Sequence, residues 1–593
     1  MRPVWPDNTV FRRLVLDVEQ THCEQCSGNL HVCDHRFHRF YTLQQPLELV
    51  CRLAHCSNRD CPARSQTLSP QAEQSLVLPR CLFGWDVFCW IGHRRFKRHW
   101  SIPQIQTELQ ETYHIPLSTE TLRTSLQRYQ NVVAARQQDP QQLAQTYRGI
   151  KSLVLTIDGL QPEKGHETLY VVRELNAKRV WFGEALLSST ADEVHRLLVR
   201  AHQWAEALSI PVRLWISDKQ DAFVKGIAKE FPDVPHRYCA NHFLRDLAKP
   251  TLEIDSHAKV QMRKHVRGLR EIEREVLSQS QKAQKEAETP REAVLDVPPQ
   301  ESAKQESGLG IAESGTRKIS DSVVPKSRIS TSDSLPEVGM LPQTTKAVPD
   351  KDGQIVLDYC AAVRGILNDD QGGPLSPPGL RMAAGLKDVQ ASLQRNLALN
   401  KGGKAHDQME RLAARIDRGL AQVKEDQREV RKQVKEIKRV AATLVETSGS
   451  NKMRRVRYEK LQKEYEGKAG AFYGHISRLM LSFVAGLFVW PAGKKRGEEW
   501  TDNLDLERWF RKPKGHERRI HGRRHAGVRI VQEGPTLVLT LDAHENRSEP
   551  FTVAELLPYR LAEMPPEQMQ AIERRKVMRQ ARSKKNEKFS AQS

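Results

Sequence analysis

The period of the apolar positions changes several times along the chain. Residues 153–157 (Leu-Val-Leu-Thr-Ile), 168–174 and 180–187 are short apolar or alternating runs that predict three successive strands. Helical spacing over 190–208 follows, then a strand at 212–216, a helix at 221–231 and a short strand at 236–239. The order is β-β-β-α-β-α-β, with Asp158 and Asp218 each ending an apolar strand, at the carboxyl edge where α/β sheets carry functional groups. Upstream, Ser101-Ile102-Pro103-Gln104 opens a helix with a serine cap and a proline in the first turn, with Ile105 and Leu109 on one face. After a break at 114–118, Leu122, Leu126 and Tyr129 predict a second helix. Two helices across a tight turn suggest a helix-turn-helix over 71–148, offering Arg123 and Arg128 to DNA.

Downstream of the last strand the pattern loosens. Residues 251–478 read as a helical insertion. Its segment 280–355 is rich in Ser, Pro, Glu, Lys and Gln and is expected to be disordered. Met409, Ile416, Val423, Val430, Ile437 and Leu444 recur every seven residues, with Ala413, Leu420, Val434 and Ala441 in a second seam. That repeat predicts a coiled-coil helix over 405–447, whose partner is either another chain or the same one. Residues 479–490 form an apolar stretch bound for the core, a helix starts at 501 or 502, and 536–541 predicts a strand. The second part of the core spans 479–545, and 546–593 is a basic tail ending in basic helix or disorder.

Length and charge narrow the reading. At 593 residues the chain calls for several domains, and 93 Lys+Arg against 73 Asp+Glu leave a net charge of +20, which favours a polyanionic partner. Six of the ten cysteines lie between Cys23 and Cys61. Cys23-x-x-Cys26 and the pair Cys56 and Cys61, separated by strand-like sequence, describe a zinc ribbon over residues 1–70. Cys33, Cys51 and His55 are spare donors, so spacing alone leaves the ligand set open. There is no apolar leader at the N-terminus, and the longest apolar run, 479–490, is too short to span a bilayer, so an intracellular soluble protein is expected.

Four blocks carry a resemblance: Thr156-Ile157-Asp158-Gly159, Trp215-Ile216-Ser217-Asp218, Tyr238-Cys239-Ala240-Asn241-His242-Phe243-Leu244-Arg245 and Asp502-Asn503-Leu504-Asp505-Leu506-Glu507-Arg508-Trp509-Phe510. In that order they resemble the DDE transposases of bacterial insertion sequences, near the Mutator-like group. The resemblance covers most of the chain, excepting 280–355 and the last thirty or so residues. It implies a multidomain α+β protein. An N-terminal zinc ribbon and helix-turn-helix would precede a ribonuclease H-like α/β core, its first part at 149–250, interrupted by the long insertion; in such a core the first strand pairs beside the fourth, which would set Asp158 and Asp218 side by side.

The resemblance further implies a catalytic triad of Asp158, Asp218 and Glu507 holding two Mg²⁺ ions, with Mn²⁺ as an alternative, beside a structural Zn²⁺. Between Asp505 and Glu507, which face different ways on a helix, it selects Glu507. Expected partners are double-stranded DNA (terminal inverted repeats and target) and a second copy of the chain or a higher oligomer, with no membrane. The expected setting is the bacterial cytoplasm, at the nucleoid. Arg508, Arg511, Lys512, Lys514, Arg518, Arg519, Arg523 and Arg524 would meet phosphates. Cys239 and His242 read as buried side chains that stabilise the turn after the last strand. Zinc is disfavoured there because no second donor pair lies nearby in sequence. The alternatives are an inactive DNA-binding regulator derived from a transposase, and a related nuclease without strand transfer.

Overall fold

In a computed structural model, the described residues are 5, 9–161, 167–266, 268–288, 349–399, 402–490, 500–522 and 526–590. They form a mixed α/β protein with two separate sheets. The chain divides into two compact units, one of residues 1–250 with 433–593 and one of 251–432. Among the described residues, no helix is long and apolar enough to cross a membrane.

The first unit begins with a three-stranded sheet of β1 (Arg12–Leu16), β2 (Leu30–Phe40) and β3 (Leu47–Cys56), in the order β1-β3-β2. One face buries Phe40, Leu49 and Cys51 against Val77. Helices Trp85–Phe96, Ile102–Tyr113 and Thr119–Gln137 follow. Ser101 caps the second of these through a reciprocal capping box with Gln104, as the sequence led one to expect. Leu122, Tyr129 and Val132 of the third share one core with Leu537, Val538 and Leu541 far downstream.

The larger sheet contains β4 (Leu153–Leu160), β5 (Thr168–Glu174), β6 (Arg179–Leu186), β7 (Val212–Ser217) and β8 (His236–Tyr238), in the order β6-β5-β4-β7-β8. β5 runs antiparallel to β4 and β6, whereas β4, β7 and β8 are mutually parallel. Alternation sorts the two faces. Leu153, Leu155 and Ile157 face helices Ala191–Leu208 and Asp221–Glu230, packing with Leu197, Leu198, Phe223 and Ile227. Leu160, Val171 and Val180 join the opposite core with Leu539 and Leu541.

Residues 536–541, expected as a strand, are helical. They belong to the helix Gly527–Ala543, which is broken at Gly534 (φ 70°, ψ −153°). Pro535 restarts the helix with its fixed φ and missing N–H where neither matters. The apolar run has no period because residues 536–543 are buried on all sides. A segment wrapped by core looks the same in sequence whether it is strand or helix.

The second unit is helical. Ile272, Val356, Val363, Met382, Leu386, Leu412 and Ile416 meet in its core. Its helices include Leu269–Glu288, Lys351–Asn368, Pro378–Leu399 and Lys404–Gln422. Asp255 caps the third of these, accepting from Gly379 N at 2.6 Å and Leu380 N at 2.9 Å. The stretch 280–355 expected to be disordered is helical at both edges, up to Glu288 and from Lys351; residues 289–348 lie outside the described ones.

The heptad seam is buried, but on the chain itself. Met409, Ile416 and Val423 enter the core of the second unit. A break at Val423 separates the helix Lys404–Gln422 from the helix Lys424–Leu444. In the first unit, Glu436 of the latter accepts from Tyr465 Oη at 2.8 Å, and Arg454 Nη1 donates to Leu444 O at 2.9 Å. The repeat therefore marks two consecutive helices, each packed against neighbours of its own chain.

Candidate functional site

Two groups of side chains carry chemistry. In the N-terminal sheet, Cys23 and Cys26 sit on a tight turn closed by Ser27 N donating to Cys23 O at 2.9 Å and Cys23 N donating to Gly28 O at 2.8 Å. Ser27 takes the left-handed conformation (φ 57°) that lets the turn close. Cys56 ends β3 and Cys61 precedes a short helical turn. All four sulfur atoms lie within 4.8 Å of one another, with Cys26–Cys56 at 3.4 Å and Cys23–Cys61 at 3.8 Å.

The Cys26 thiol is drawn down to about 7 by the Gly28 backbone N–H and then by Cys56, while burial pushes Cys56 up to about 12. One thiolate held by its neighbours is a ready first ligand, and the cluster could hold a zinc ion. Two of the three spare donors are engaged elsewhere. Cys33 Sγ is turned to Leu53 O at 3.4 Å, and Cys51 is buried in the apolar layer beneath the sheet.

The second group lies at the carboxyl edge of the larger sheet. Thr156 of β4 is paired with Ile216 of β7 in parallel register. Two residues beyond that rung come Asp158, within β4, and Asp218, just past the end of β7, so the parallel strands bring both acids to the same edge of the sheet. Asp158 accepts from Gly159 N at 2.7 Å, and Asp218 from Gln220 N at 3.2 Å. Glu507 is on the one-and-a-half-turn helix Leu504–Trp509, anchored in the core by Leu506 and Trp509.

Cys239 caps the helix Ala240–Leu247 that leaves β8. From that helix Asn241 Nδ2 donates to both Glu507 oxygens at 3.2 Å, and His242 Nε2 lies 3.5 Å from Glu507 Oε1. Arg245 Nη1 lies 3.8 Å from the same oxygen. Fully buried Asn503 joins the parts. Its Oδ1 accepts from Cys239 Sγ at 2.9 Å, and its Nδ2 donates to Asp158 Oδ2 at 3.4 Å.

Electrostatics reports the same convergence. Asp158 is pushed up to about 6, first by burial and further by the charges of Asp218 and Glu507, with His242 and the Gly159 N–H opposing. Asp218 is also raised, chiefly by burial. Lys514 is lowered by burial and by Arg518 and Arg511, while Asp158 and Glu507 pull it back, which sets its ammonium in the field of the acids. Asp505 faces elsewhere: it accepts from Arg173 Nε at 2.7 Å.

The remaining expected DNA contacts divide. Arg508, Arg511, Arg518 and Arg519 are exposed. Lys512 is tied to Glu545. Arg123 is exposed and pairs with Glu120 at 3.2 Å. Arg128 is turned inward, donating to Pro79 O at 3.2 Å and Arg560 O at 3.3 Å, so its guanidinium is committed to the protein's own carbonyls. Arg523 and Arg524 lie outside the described residues.

Asn241, Asn503 and Arg245 were not anticipated as contributors. Their only sequence signal is position, inside the Cys-x-x-His block or four residues before Glu507. A scan against protein-family models and a search among curated proteins returned no match for this chain.

Proposed function

We propose that the chain is a DNA transposase with a ribonuclease H-like catalytic core. It would bind the terminal repeats of a mobile element, cut a strand at the element's end and join the freed 3′ oxygen to target DNA. The observation that carries this reading is the arrangement of three acids drawn from separate parts of the sequence. Asp158 lies on β4 and Asp218 directly follows β7, its parallel neighbour, and Glu507, on a helix far downstream, raises the Asp158 carboxyl by its charge. The order β6-β5-β4-β7-β8, antiparallel only in its first half, and the surplus of cations support it.

Crowded, partly buried carboxylates suit a hard divalent cation, because the cation relieves the repulsion and desolvation that raise Asp158. Asp158, Asp218 and Glu507 would hold Mg²⁺, or Mn²⁺ in its place. Two such ions supply Lewis acidity toward the phosphodiester and lower the pKa of the attacking water. The chain's own residues do the positioning. Asn503 orients Asp158, and Asn241 braces both oxygens of Glu507.

Lys514 and Arg245 would hold non-bridging phosphate oxygens, and the exposed arginines of 508–519 would track the backbone. Phosphoryl transfer proceeds by in-line placement and charge stabilisation, so no side chain need act as nucleophile. Joining two ends calls for two copies of the chain on DNA.

The test is strand cleavage of end-containing DNA in Mg²⁺ by Asp158→Asn and Glu507→Gln. Loss on the order of a thousandfold is expected for each, equivalent to about 4 kcal/mol of transition-state stabilisation. Undiminished cleavage in either variant removes that residue from the triad. A strand-transfer assay on the same DNA separates a transposase from a nuclease, since only the former yields joined product.

A further inference from the structure

We propose that Cys239, His242 and Glu507 form a second zinc site, distinct from the ribbon. One donor atom from each lies within 4.8 Å of the others. Thiolate, imidazole and carboxylate are the donors zinc takes, and three protein ligands with an open fourth position is one of its two standard arrangements. The sequence argues against zinc at Cys-x-x-His because no further donor is near in the chain; the fold supplies one from residue 507.

The backbone already sets two of the three ligands. Cys239 caps the helix Ala240–Leu247, and His242 lies one turn into it, so both side chains come from one rigid element. Asn503 meets the Cys239 sulfur twice: its Oδ1 accepts from the thiol at 2.9 Å, a bond given up on metal binding, and its N donates to the sulfur at 3.4 Å, a bond that strengthens once the sulfur is charged. Asn241 Nδ2 donates to both Glu507 oxygens and orients the third ligand from the same helix. His242 Nδ1 is buried without a hydrogen-bond partner, while Nε2 faces Glu507, so this imidazole is not consumed by a structural hydrogen-bond network.

Binding breaks the Cys239 S–H bond, forms a sulfur–zinc bond and releases one proton to solvent; no electron moves. Magnesium is a poor competitor for a thiolate and an imidazole. The binding claim stands on this geometry alone. Its consequence rests on the proposed transposase reading: a zinc ion here draws Glu507 toward His242 and away from Asp158 and Asp218.

The experiment is zinc stoichiometry on the full-length protein, loaded with excess Zn²⁺, dialysed, and measured by elemental analysis and by timed release to a colorimetric chelator. Two equivalents per chain, released in two phases, are expected. Cys239→Ala and His242→Ala should each lose one equivalent and keep the other. Co²⁺ loading of the unmutated chain provides a check that needs no variant, because a second tetrahedral site adds visible absorption beyond the first equivalent. A single equivalent in the unmutated chain, or two retained in both variants, overturns the proposal. Absence of DNA cleavage leaves these counts unchanged and counts only against the transposase reading.

Discussion

Arg173 gives the sharpest test of how the Glu507 helix is held. It is 1% exposed near the end of β5, with Nε 2.7 Å from Asp505, Nη1 2.9 Å from Asp542 and Nη2 3.9 Å from Glu545. Asp542 is equally buried; besides Arg173 it has the Val180 N–H at 3.2 Å and Arg179 at 3.6 Å. Arg173→Met keeps most of the volume but strands the Asp542 charge with those two partners. Breaking a buried pair costs about 3–5 kcal/mol, and the surviving partners place this case near about 3 kcal/mol.

The same change at an exposed pair should cost under about 1 kcal/mol, so Arg36→Met, which loses the pair with Glu73, is the control. Urea unfolding monitored by tryptophan fluorescence measures both. Arg173→Met with Asp542→Leu should recover most of the loss, since both buried charges then go together. Arg173→Met within about 1 kcal/mol of the parent, or a double variant no better than the single, refutes the reasoning.

Asp158 is pushed up to about 6 by burial, so its contribution to folding is fully present below the unfolded value near 3.9 and is lost as pH rises through 6. In chelator, Asp158→Asn should therefore stabilise the fold by about 1–3 kcal/mol at pH 8 and leave it unchanged at pH 4; equal shifts in melting temperature at both pH values contradict this. Cys56→Ser, or a strong chelator, should expose residues 9–61 to limited proteolysis while the helices between Trp85 and Gln137 resist; equal digestion of both segments would show that the four thiols do not organise the N-terminal sheet. In DNA binding measured against salt, Arg518→Ala should lower the slope of log K on log salt by about 1. Arg128→Ala should leave the slope unchanged and lower the melting temperature instead, because its guanidinium is bonded to Pro79 and Arg560 carbonyls.

What could be read from the chain follows from what each pattern encodes. The strands before Asp158 and Asp218 were legible as short apolar runs, and the fold sets them beside one another in parallel. The four-cysteine cluster was legible because paired thiols at knuckle spacing have few other uses. The heptads specify a buried stripe but not what covers it, and here the chain covers its own. Residues 536–541 misled because a fully enclosed segment loses its period, although Pro535 marked a helix start. Arg128 misled because an exposed-looking basic position says nothing of carbonyls brought up from residues 79 and 560. Asn503 and Asn241 had no pattern to betray them, since an amide's role is decided by what the fold sets beside it.

The gap between Asp218 and Glu507 also sets an order in time. Glu507 is made about 290 residues after Asp218, which at about 5–20 residues per second is a delay of about 15–60 s. During that interval the emerging chain carries the cysteine cluster, the N-terminal helices and the first two acids, but no third acid. Under the proposed reading it is a DNA binder that is unable to cut. A product truncated before residue 500 lacks not only the third acid but also Leu537, Val538 and Leu541, which complete the core around the N-terminal helices.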